Sequence, residues 1–211
     1  MITDIPEIYV LRHGETTWNR EGRMQGDLDS PLTPKGQEQA KTVAGLLAAR
    51  GVTAQTHVLL SSPQGRAMAT AQAVANAMGA HIQTHADLRE ISVGEWTGLT
   101  REEITTRWPA EQKEEHFLDF YARAPNGETF DALWQRVCGL LASLTGPTVL
   151  VTHGITSRFL RTAATGRSLA DVRELPGGQG VVFRVADRYH EIYASEGLHD
   201  QKGHAKPPPH G

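Results

Sequence analysis

Two short apolar runs that each end at a His-Gly pair constrain the fold of this chain most strongly. Residues 8–11 lead into the pair that begins at His13, and residues 148–151 lead into the pair that begins at His153. Short β-branched, aliphatic or aromatic runs bounded by turn residues are typical of buried strands. The chain is therefore expected to bring two histidines to the ends of two strands.

Helices are predicted between these strands. Apolar residues at helical spacing follow Thr33, which suits an N-cap, and Pro34, which suits the first helical position. An alanine-rich helix is predicted over residues 66–78 and an amphipathic helix over residues 129–144. Residues 57–60 predict a further strand, so strands and helices alternate along the chain.

This alternation predicts a three-layer α/β sandwich, in which a mostly parallel central sheet has helices on both faces. Residues 180–185 and 189–193 predict a hairpin, and hence an antiparallel edge strand. A segment rich in Glu, Arg and aromatic residues, residues 100–125, is interpreted as a small helical lid. We expect one domain over residues 1–198 and a disordered tail over residues 199–211.

Composition argues against several classes of function. The 211 residues include 21 Lys plus Arg and 24 Asp plus Glu, so the net charge of −3 lacks the basic excess typical of nucleic-acid binding. No apolar run approaches the roughly 18 residues of a membrane span, and the first residues do not resemble a secretory signal. Cys138 is the single cysteine, which favours a reducing, cytoplasmic location. We expect neither a nucleic-acid nor a membrane partner.

The strand ends carry groups suited to phosphoryl chemistry. The carboxyl ends of parallel strands meet at one edge of a sheet, which is where such folds bind ligands. A neutral imidazole at His13 is a nucleophile, and the adjacent Arg12 guanidinium matches a phosphate. Arg66, at the start of a predicted helix, lies where backbone N–H groups also favour an anion. His153 suits a donor to a phosphoryl oxygen, and Glu90, in an otherwise apolar segment, suits a general acid.

Each of these residues taken singly also has a structural interpretation. Arg66 suits an exposed helix start, Glu90 a surface ion pair with Arg89, and Asn19 the cap of a turn. The glycine-rich residues 177–180 resemble a phosphate loop, but they precede a strand, so a plain turn is the better interpretation. The aromatic residues of the lid segment are interpreted as core rather than as a substrate box.

Further motifs accompany these residues in a fixed order. They are Leu11-Arg12-His13-Gly14-Glu15-Thr16, Ser30-Pro31-Leu32-Thr33-Pro34, Ser61-Ser62-Pro63, Leu88-Arg89-Glu90, Pro125-Asn126-Gly127-Glu128-Thr129 and Val151-Thr152-His153-Gly154. This series, which spans residues 7–195, resembles the histidine phosphatase superfamily, in its phosphoglycerate-mutase-like branch. The resemblance implies an α/β enzyme that transfers phosphoryl groups without a metal or another cofactor.

The resemblance also implies a role for each matching residue. His13 is the nucleophile that accepts the phosphoryl group and forms a phosphohistidine, which water then hydrolyses. Arg12, Arg66 and His153 surround the phosphoryl oxygens, and Glu90 protonates the leaving oxygen and then deprotonates the attacking water. The positions implied for binding phosphate or substrate are Asn19, Gln25, Gly26 and Gly154.

The resemblance leaves more than one activity open. Glu90 and His153 are 63 positions apart, a shorter stretch than in the mutases and one similar to the broad-specificity phosphatases. We expect a phosphatase of small phosphorylated metabolites, with phosphoglycerate mutase as the alternative and a non-catalytic phosphate- or phosphoprotein-binding module as a remote one. A metal hydrolase built on His13, His153 and Glu90 is disfavoured because arginines beside the histidines repel a dication. A homodimer is a further expectation.

Overall fold

The computed structural model describes residues 5–109 and 116–195 of the chain. The strands of its sheet are β1 (Ile8–Arg12), β2 (Val58–Ser61), β3 (Ile82–Thr84), β4 (Thr148–Thr152), β5 (Val182–Ala186) and β6 (Tyr189–Tyr193). The α-helices are α1 (Thr17–Arg20), α2 (Pro34–Ala48), α3 (Gly65–Met78), α4 (Arg101–Arg107), α5 (Phe117–Ala122), α6 (Phe130–Ser143) and α7 (Gly154–Ala164). Short 3-10 helices lie at Ala86–Leu88, Gly94–Trp96 and Leu169–Glu174.

The strands form one mostly parallel sheet in the order β3-β2-β4-β1-β5-β6. Strands β1 to β4 pair in parallel, β5 runs antiparallel to β1, and β6 runs antiparallel to β5. The predicted α/β fold is confirmed. Its antiparallel part is the predicted hairpin, whose turn holds Asp187 and Arg188 in the left-handed region of backbone conformation.

Helices cover both faces of the sheet because successive side chains of a strand point to opposite faces. Ile8 and Val10 of β1 belong to a hydrophobic cluster that includes residues of α6 and α7. Tyr9 and Leu11, between and beyond them, belong to a second cluster that includes residues of α2 and α3. The three-layer arrangement predicted from the alternation of elements is therefore confirmed.

The start of α2 fixes the loop that follows β1. The Thr33 hydroxyl accepts the Gly36 N–H at 3.0 Å and Pro34 is the first helical residue, as the sequence predicts. A Cβ atom on Gly14 would lie only 2.2 Å from the Gly36 carbonyl oxygen. Glycine at this contact lets α2 approach the residue directly after His13.

The segment predicted as a lid is helical where the structure describes it. Helices α4 and α5 flank residues 110–115, which lie outside the described residues. Phe120 is buried, and its ring centroid lies 4.6 Å from that of Trp96. Asp119 of α5 forms an ion pair with Arg173. These contacts place Phe120 in the core, in agreement with the expectation for the aromatic residues of this segment.

Three further expectations concern the extent and setting of the chain. No helix within the described ranges is both long and apolar enough to cross a membrane. The tail predicted over residues 199–211 lies outside the described residues. The single domain over residues 1–198 stays a prediction.

Candidate active site

The register of the two central strands brings the two His-Gly pairs together. Arg12 pairs with Thr152 in the parallel ladder of β1 and β4. The backbone N–H of His13 then donates to the Thr152 carbonyl at 3.0 Å. The ring centroids of His13 and His153 lie 5.1 Å apart, and both residues are buried. The site is therefore built where these two strands end.

His13 has the geometry of a nucleophile. Its Nδ1 lies 2.8 Å from the Gly14 carbonyl oxygen. Because a carbonyl only accepts hydrogen bonds, Nδ1 carries the proton and the lone pair is on Nε2. Burial, together with the charges of Arg12 and Arg66, holds the pKa of His13 well below its usual value, so the imidazole is neutral at pH 7.

His153 has the opposite arrangement. Its Nε2 lies 2.8 Å from the Ser62 hydroxyl, whose other acceptor, the Gln64 side-chain oxygen, is farther away at 3.4 Å. We therefore assign the Ser62 hydroxyl as the donor and His153 Nε2 as the acceptor of this hydrogen bond. The proton of the neutral imidazole then lies on Nδ1. Burial, followed by His13 and Arg66, holds the pKa of His153 well below its usual value. His153 thus offers an N–H donor beside the nucleophile.

The Arg66 side chain is anchored along one edge. Its Nη1 donates to the Leu28 carbonyl at 2.6 Å and to an Asp29 carboxylate oxygen at 2.7 Å. Its Nη2 donates to the Gly26 carbonyl at 3.0 Å. These bonds fix the guanidinium plane and do not involve Nε. The Gly26 carbonyl, which also accepts from Gln64 Nε2 at 2.8 Å, thus helps to hold Arg66.

Three buried donors around His13 lack acceptors. They are Nε of Arg12, Nε of Arg66 and Nδ1 of His153, none of which has a hydrogen-bond partner in the described part of the chain. A buried donor left unpaired costs about 1–3 kcal/mol. Two guanidiniums and one imidazole N–H thus interact electrostatically with the neutral His13. Together they are the donors expected in a binding site for an anionic group such as a phosphoryl group.

Glu90 lies in a different setting from the one expected. Its carboxylate accepts the backbone N–H of Ile155 at 3.1 Å and of Thr156 at 3.0 Å, and also the Thr156 hydroxyl at 3.0 Å. The expected apolar environment is therefore wrong. The carboxylate occupies the N-terminus of α7, where backbone N–H groups favour a negative charge. This anchoring places Glu90 directly beside the segment that carries His153.

Three of the predicted binding positions have mainly positioning contacts. The Asn19 side-chain oxygen accepts the Thr16 N–H at 3.2 Å, so Asn19 completes a capping box with Thr16, the N-cap residue of α1. The Gln25 side-chain oxygen lies 3.3 Å from the Ser30 hydroxyl. A Cβ atom on Gly154 would lie 3.3 Å from Cζ of Arg12, so glycine leaves room for that guanidinium. A direct contact of these residues with phosphate stays a prediction.

The chain matches a known family over most of its length, since residues 8–193 fit the histidine phosphatase superfamily (branch 1). The chain belongs to this superfamily. A protein of Citrobacter koseri named "Probable phosphoglycerate mutase GpmB" is 38% identical over 157 residues, which cover 71% of this chain and 70% of that protein. The relatives of this superfamily member thus include proteins with a mutase name.

Solved structures, one of them of a phosphatase, resemble the chain as well. A mycobacterial glucosyl-3-phosphoglycerate phosphatase in complex with VO3 has a TM-score of 0.74 at 30% identity, over 86% of this chain and 91% of the other. The protein YhfR of Bacillus stearothermophilus has a TM-score of 0.69 at 29% identity, over 90% of this chain and 96% of the other. The chain therefore shares its fold with at least one enzyme of phosphoryl chemistry.

The candidate active site also contains residues for which the sequence predicts no role. Ser62 orients His153, as described above. The Gln179 side-chain amide donates to the His13 carbonyl at 3.1 Å and to the Asn19 side-chain oxygen at 3.2 Å. Gln179 lies in the glycine-rich residues 177–180, where the sequence predicts only a plain turn. Among the described residues, no group of three or more His, Cys, Asp or Glu could hold a metal ion.

Proposed function

We propose that this histidine phosphatase hydrolyses small phosphomonoesters without a metal, through a phosphohistidine on His13. The observation that carries the proposal is the set of buried, unpartnered donors on Arg12, Arg66 and His153 beside a neutral His13. Phosphoryl transfer depends mostly on positioning and on neutralising the phosphoryl oxygens. These donors supply that neutralisation, and the fixed tautomer of His13 supplies the attacking lone pair.

The first step forms a bond between His13 Nε2 and phosphorus and breaks the bond between phosphorus and the ester oxygen. Protonated Glu90 gives its proton to the leaving oxygen, so the leaving group departs as an alcohol. Delivery of this proton requires Glu90 to exchange one of its hydrogen bonds at the start of α7 for a bond to the substrate. Arg12, Arg66 and the Nδ1–H of His153 stabilise the negative charge of the transferring group.

The second step uses the same groups in reverse. Water attacks phosphorus, the Glu90 carboxylate takes a proton from that water, and the bond to His13 Nε2 breaks. Inorganic phosphate leaves, His13 regains its lone pair and Glu90 is protonated again. The cycle therefore balances without a further reactant.

Phosphoenzyme trapping tests this proposal. Wild-type protein, H13A and the control H81A, which changes an exposed histidine, are quenched in alkali during turnover of a phosphate-labelled aryl phosphate. We expect an acid-labile, alkali-stable label on wild type and H81A and none on H13A. Labelling of H13A at the wild-type level, or phosphate release by H13A at the wild-type rate, would overturn the proposal.

Phosphoglycerate mutase is the second candidate, because relatives such as the Citrobacter koseri protein carry that name. A mutase returns the phosphoryl group to the substrate, whereas a phosphatase passes it to water. With 3-phosphoglycerate we expect inorganic phosphate as the main product. Formation of 2-phosphoglycerate in excess of phosphate would favour the mutase.

A protein that binds phosphate without turnover would favour the remote alternative of a binding module. A homodimer and a cytoplasmic location stay predictions from the sequence.

A further inference from the structure

Gln39 of α2 binds the backbone of the loop that follows His13. Its side-chain oxygen accepts the Glu15 N–H at 2.7 Å. The helix lies close enough for this contact because Gly36, three residues before Gln39 and on the same face of α2, has no side chain. A Cβ atom on Gly36 would clash with the Glu15 carbonyl oxygen. The short hydrogen bond therefore joins a helix side chain to the second residue after His13.

The peptide group that Gln39 binds also carries the acceptor of His13. The Glu15 N–H and the Gly14 carbonyl belong to one peptide group, and that carbonyl lies 2.8 Å from His13 Nδ1. A trans peptide group is planar, so its N–H and C=O point in opposite directions within one plane. A hydrogen bond that fixes the direction of the N–H therefore also fixes the direction of the carbonyl.

The preceding peptide group, between His13 and Gly14, is held at both ends. The Gly14 N–H donates to the Thr70 hydroxyl of α3 at 3.0 Å, and the His13 carbonyl accepts from Gln179 at 3.1 Å. Of these three side chains, Gln39 is the one that contacts the peptide group with the Nδ1 acceptor. The direction of that acceptor thus depends on Gln39 more directly than on Thr70 or Gln179.

The direction of the Gly14 carbonyl matters because His13 is buried and neutral. A neutral imidazole carries its proton on one nitrogen, and the hydrogen bond made by that nitrogen sets the state of the other. A carbonyl that faces Nδ1 keeps the proton there and leaves the lone pair on Nε2. If the peptide group turns, Nδ1 loses its acceptor and the tautomer with the proton on Nε2 gains population.

We propose that Gln39 is a positioning residue that sets the tautomer of His13 through the peptide group between Gly14 and Glu15. Gln39 acts through the backbone and does not touch the phosphoryl group. The inference rests on the proposed function for its effect on the rate, since the lone pair on Nε2 is the proposed nucleophile. The tautomer itself is a property of the protein without substrate, so it can be measured separately.

The test determines the tautomer of His13 without substrate. Long-range ¹H–¹⁵N NMR spectra of protein labelled with ¹⁵N-histidine distinguish a protonated ring nitrogen from an unprotonated one, at about pH 7.5, where an ordinary imidazole is also mostly neutral. The signals of His13 are those that are missing from H13Q. The variants are Q39L and Q39M, which lack the side-chain oxygen but keep much of the volume, and Q39E, which keeps an oxygen acceptor. The matched control is Q37L, which changes an exposed glutamine of the same helix.

We expect a protonated Nδ1 on His13 in wild type, Q39E and Q37L. In Q39L and Q39M the form with the proton on Nε2 becomes the main one, because loss of a buried hydrogen bond shifts the ratio of the two forms by about tenfold or more. With an aryl phosphate, kcat in these two variants falls by the same factor as the fraction with a protonated Nδ1, about threefold or more, while KM stays within about threefold of wild type.

An unchanged tautomer in Q39L and Q39M would overturn the proposal. A loss of kcat that the tautomer does not follow would assign Gln39 a merely structural role and overturn it as well, as would a tautomer changed as much in Q39E as in Q39L. A changed tautomer with an unchanged kcat would support the role of Gln39 and contradict Nε2 of His13 as the nucleophile. Failure of the proposed function is therefore distinguishable from failure of this inference.

Discussion

The two His-Gly ends of the sheet are alike in sequence and opposite in chemistry. His13 and His153 follow neighbouring parallel strands, both are buried, and both are held neutral by their surroundings. The Nδ1–H of His13 donates a hydrogen bond to the Gly14 carbonyl, so the lone pair of the ring is on Nε2. His153 binds the Ser62 hydroxyl through Nε2 and keeps a free Nδ1.

This difference shows that the partner of one ring nitrogen decides the role of the other. Because Nδ1 of His13 donates to a carbonyl, Nε2 carries the lone pair, which suits a nucleophile. When the Ser62 hydroxyl donates to Nε2 of His153, the ring proton lies on Nδ1, which suits a donor to an anion. The same dipeptide on the same sheet edge thus provides two roles that phosphoryl transfer needs.

Removal of each histidine gives the largest expected effect and separates the two roles. H13A lacks the nucleophile, so we expect kcat/KM for an aryl phosphate to fall by more than about 1,000-fold. H153A lacks one donor to the transferring group, so we expect a fall of about 100-fold with phosphoenzyme still formed. Steady-state rates and acid-labile labelling measure both, with H81A as control. Equal losses of labelling in H13A and H153A would contradict the assignment of His13 as nucleophile and His153 as donor.

Glu90 tests whether the His153 side of the site also provides the acid. E90Q removes the transferable proton, so we expect kcat/KM for an alkyl phosphate to fall by about 100-fold or more. A good leaving group such as nitrophenol needs little protonation, so its ester should lose less than about tenfold. Rates on the two esters, compared in wild type and E90Q, give the measurement. Equal losses on both would indicate that Glu90 acts by holding α7 and not as an acid.

Ser62 tests whether the tautomer of His153 matters. S62A removes the hydroxyl that donates to Nε2 and leaves His153 free to adopt either tautomer, so we expect kcat/KM to fall by about tenfold. S61A is the matched control, because Ser61 is equally buried and its hydroxyl donates to the Ser62 carbonyl, not to a histidine. An effect of S62A no greater than that of S61A would argue against the assigned tautomer.

Because both rings are neutral, we also predict a smaller effect, on the pH dependence of the free energy of unfolding. The pKa values of His13 and His153 are lowered in the folded protein, whereas the unfolded chain binds protons near pH 6.5. Folding stability therefore falls as the pH drops below about 6.5, by about 1.4 kcal/mol per histidine between pH 7.5 and pH 5.5. Urea unfolding of wild type and H13Q at the two pH values measures this. The change with pH should be smaller in H13Q by about that amount, and an equal change would contradict a neutral His13.

Local patterns were enough to predict the strands other than β3, the helices α2, α3 and α6, and the residues at the strand ends, whereas β3 and α7 were not predicted. Thr33 and Pro34 start α2 as predicted, and His13 and His153 meet because parallel pairing of two short runs requires it. The contact between Ser62 and His153 depends on pairing between β2 and β4, which are about ninety residues apart in the chain. No local pattern encodes such a contact.

The environment of Glu90 illustrates the same limit. Its sequence neighbours are partly apolar, and they suggested an apolar site. The groups that surround the carboxylate are instead N–H donors of α7, more than sixty residues later in the chain.

The site of phosphorylation tests the contrast between the two histidines most directly. Phosphoenzyme trapped in alkali is examined by phosphorus and nitrogen NMR with ¹⁵N-labelled histidine, and the modified residue is located by peptide mapping. We predict a single phosphohistidine, with phosphorus on Nε2 of His13. Phosphorus on Nδ1 of His13, or on His153, would contradict the assignment of nucleophile and donor.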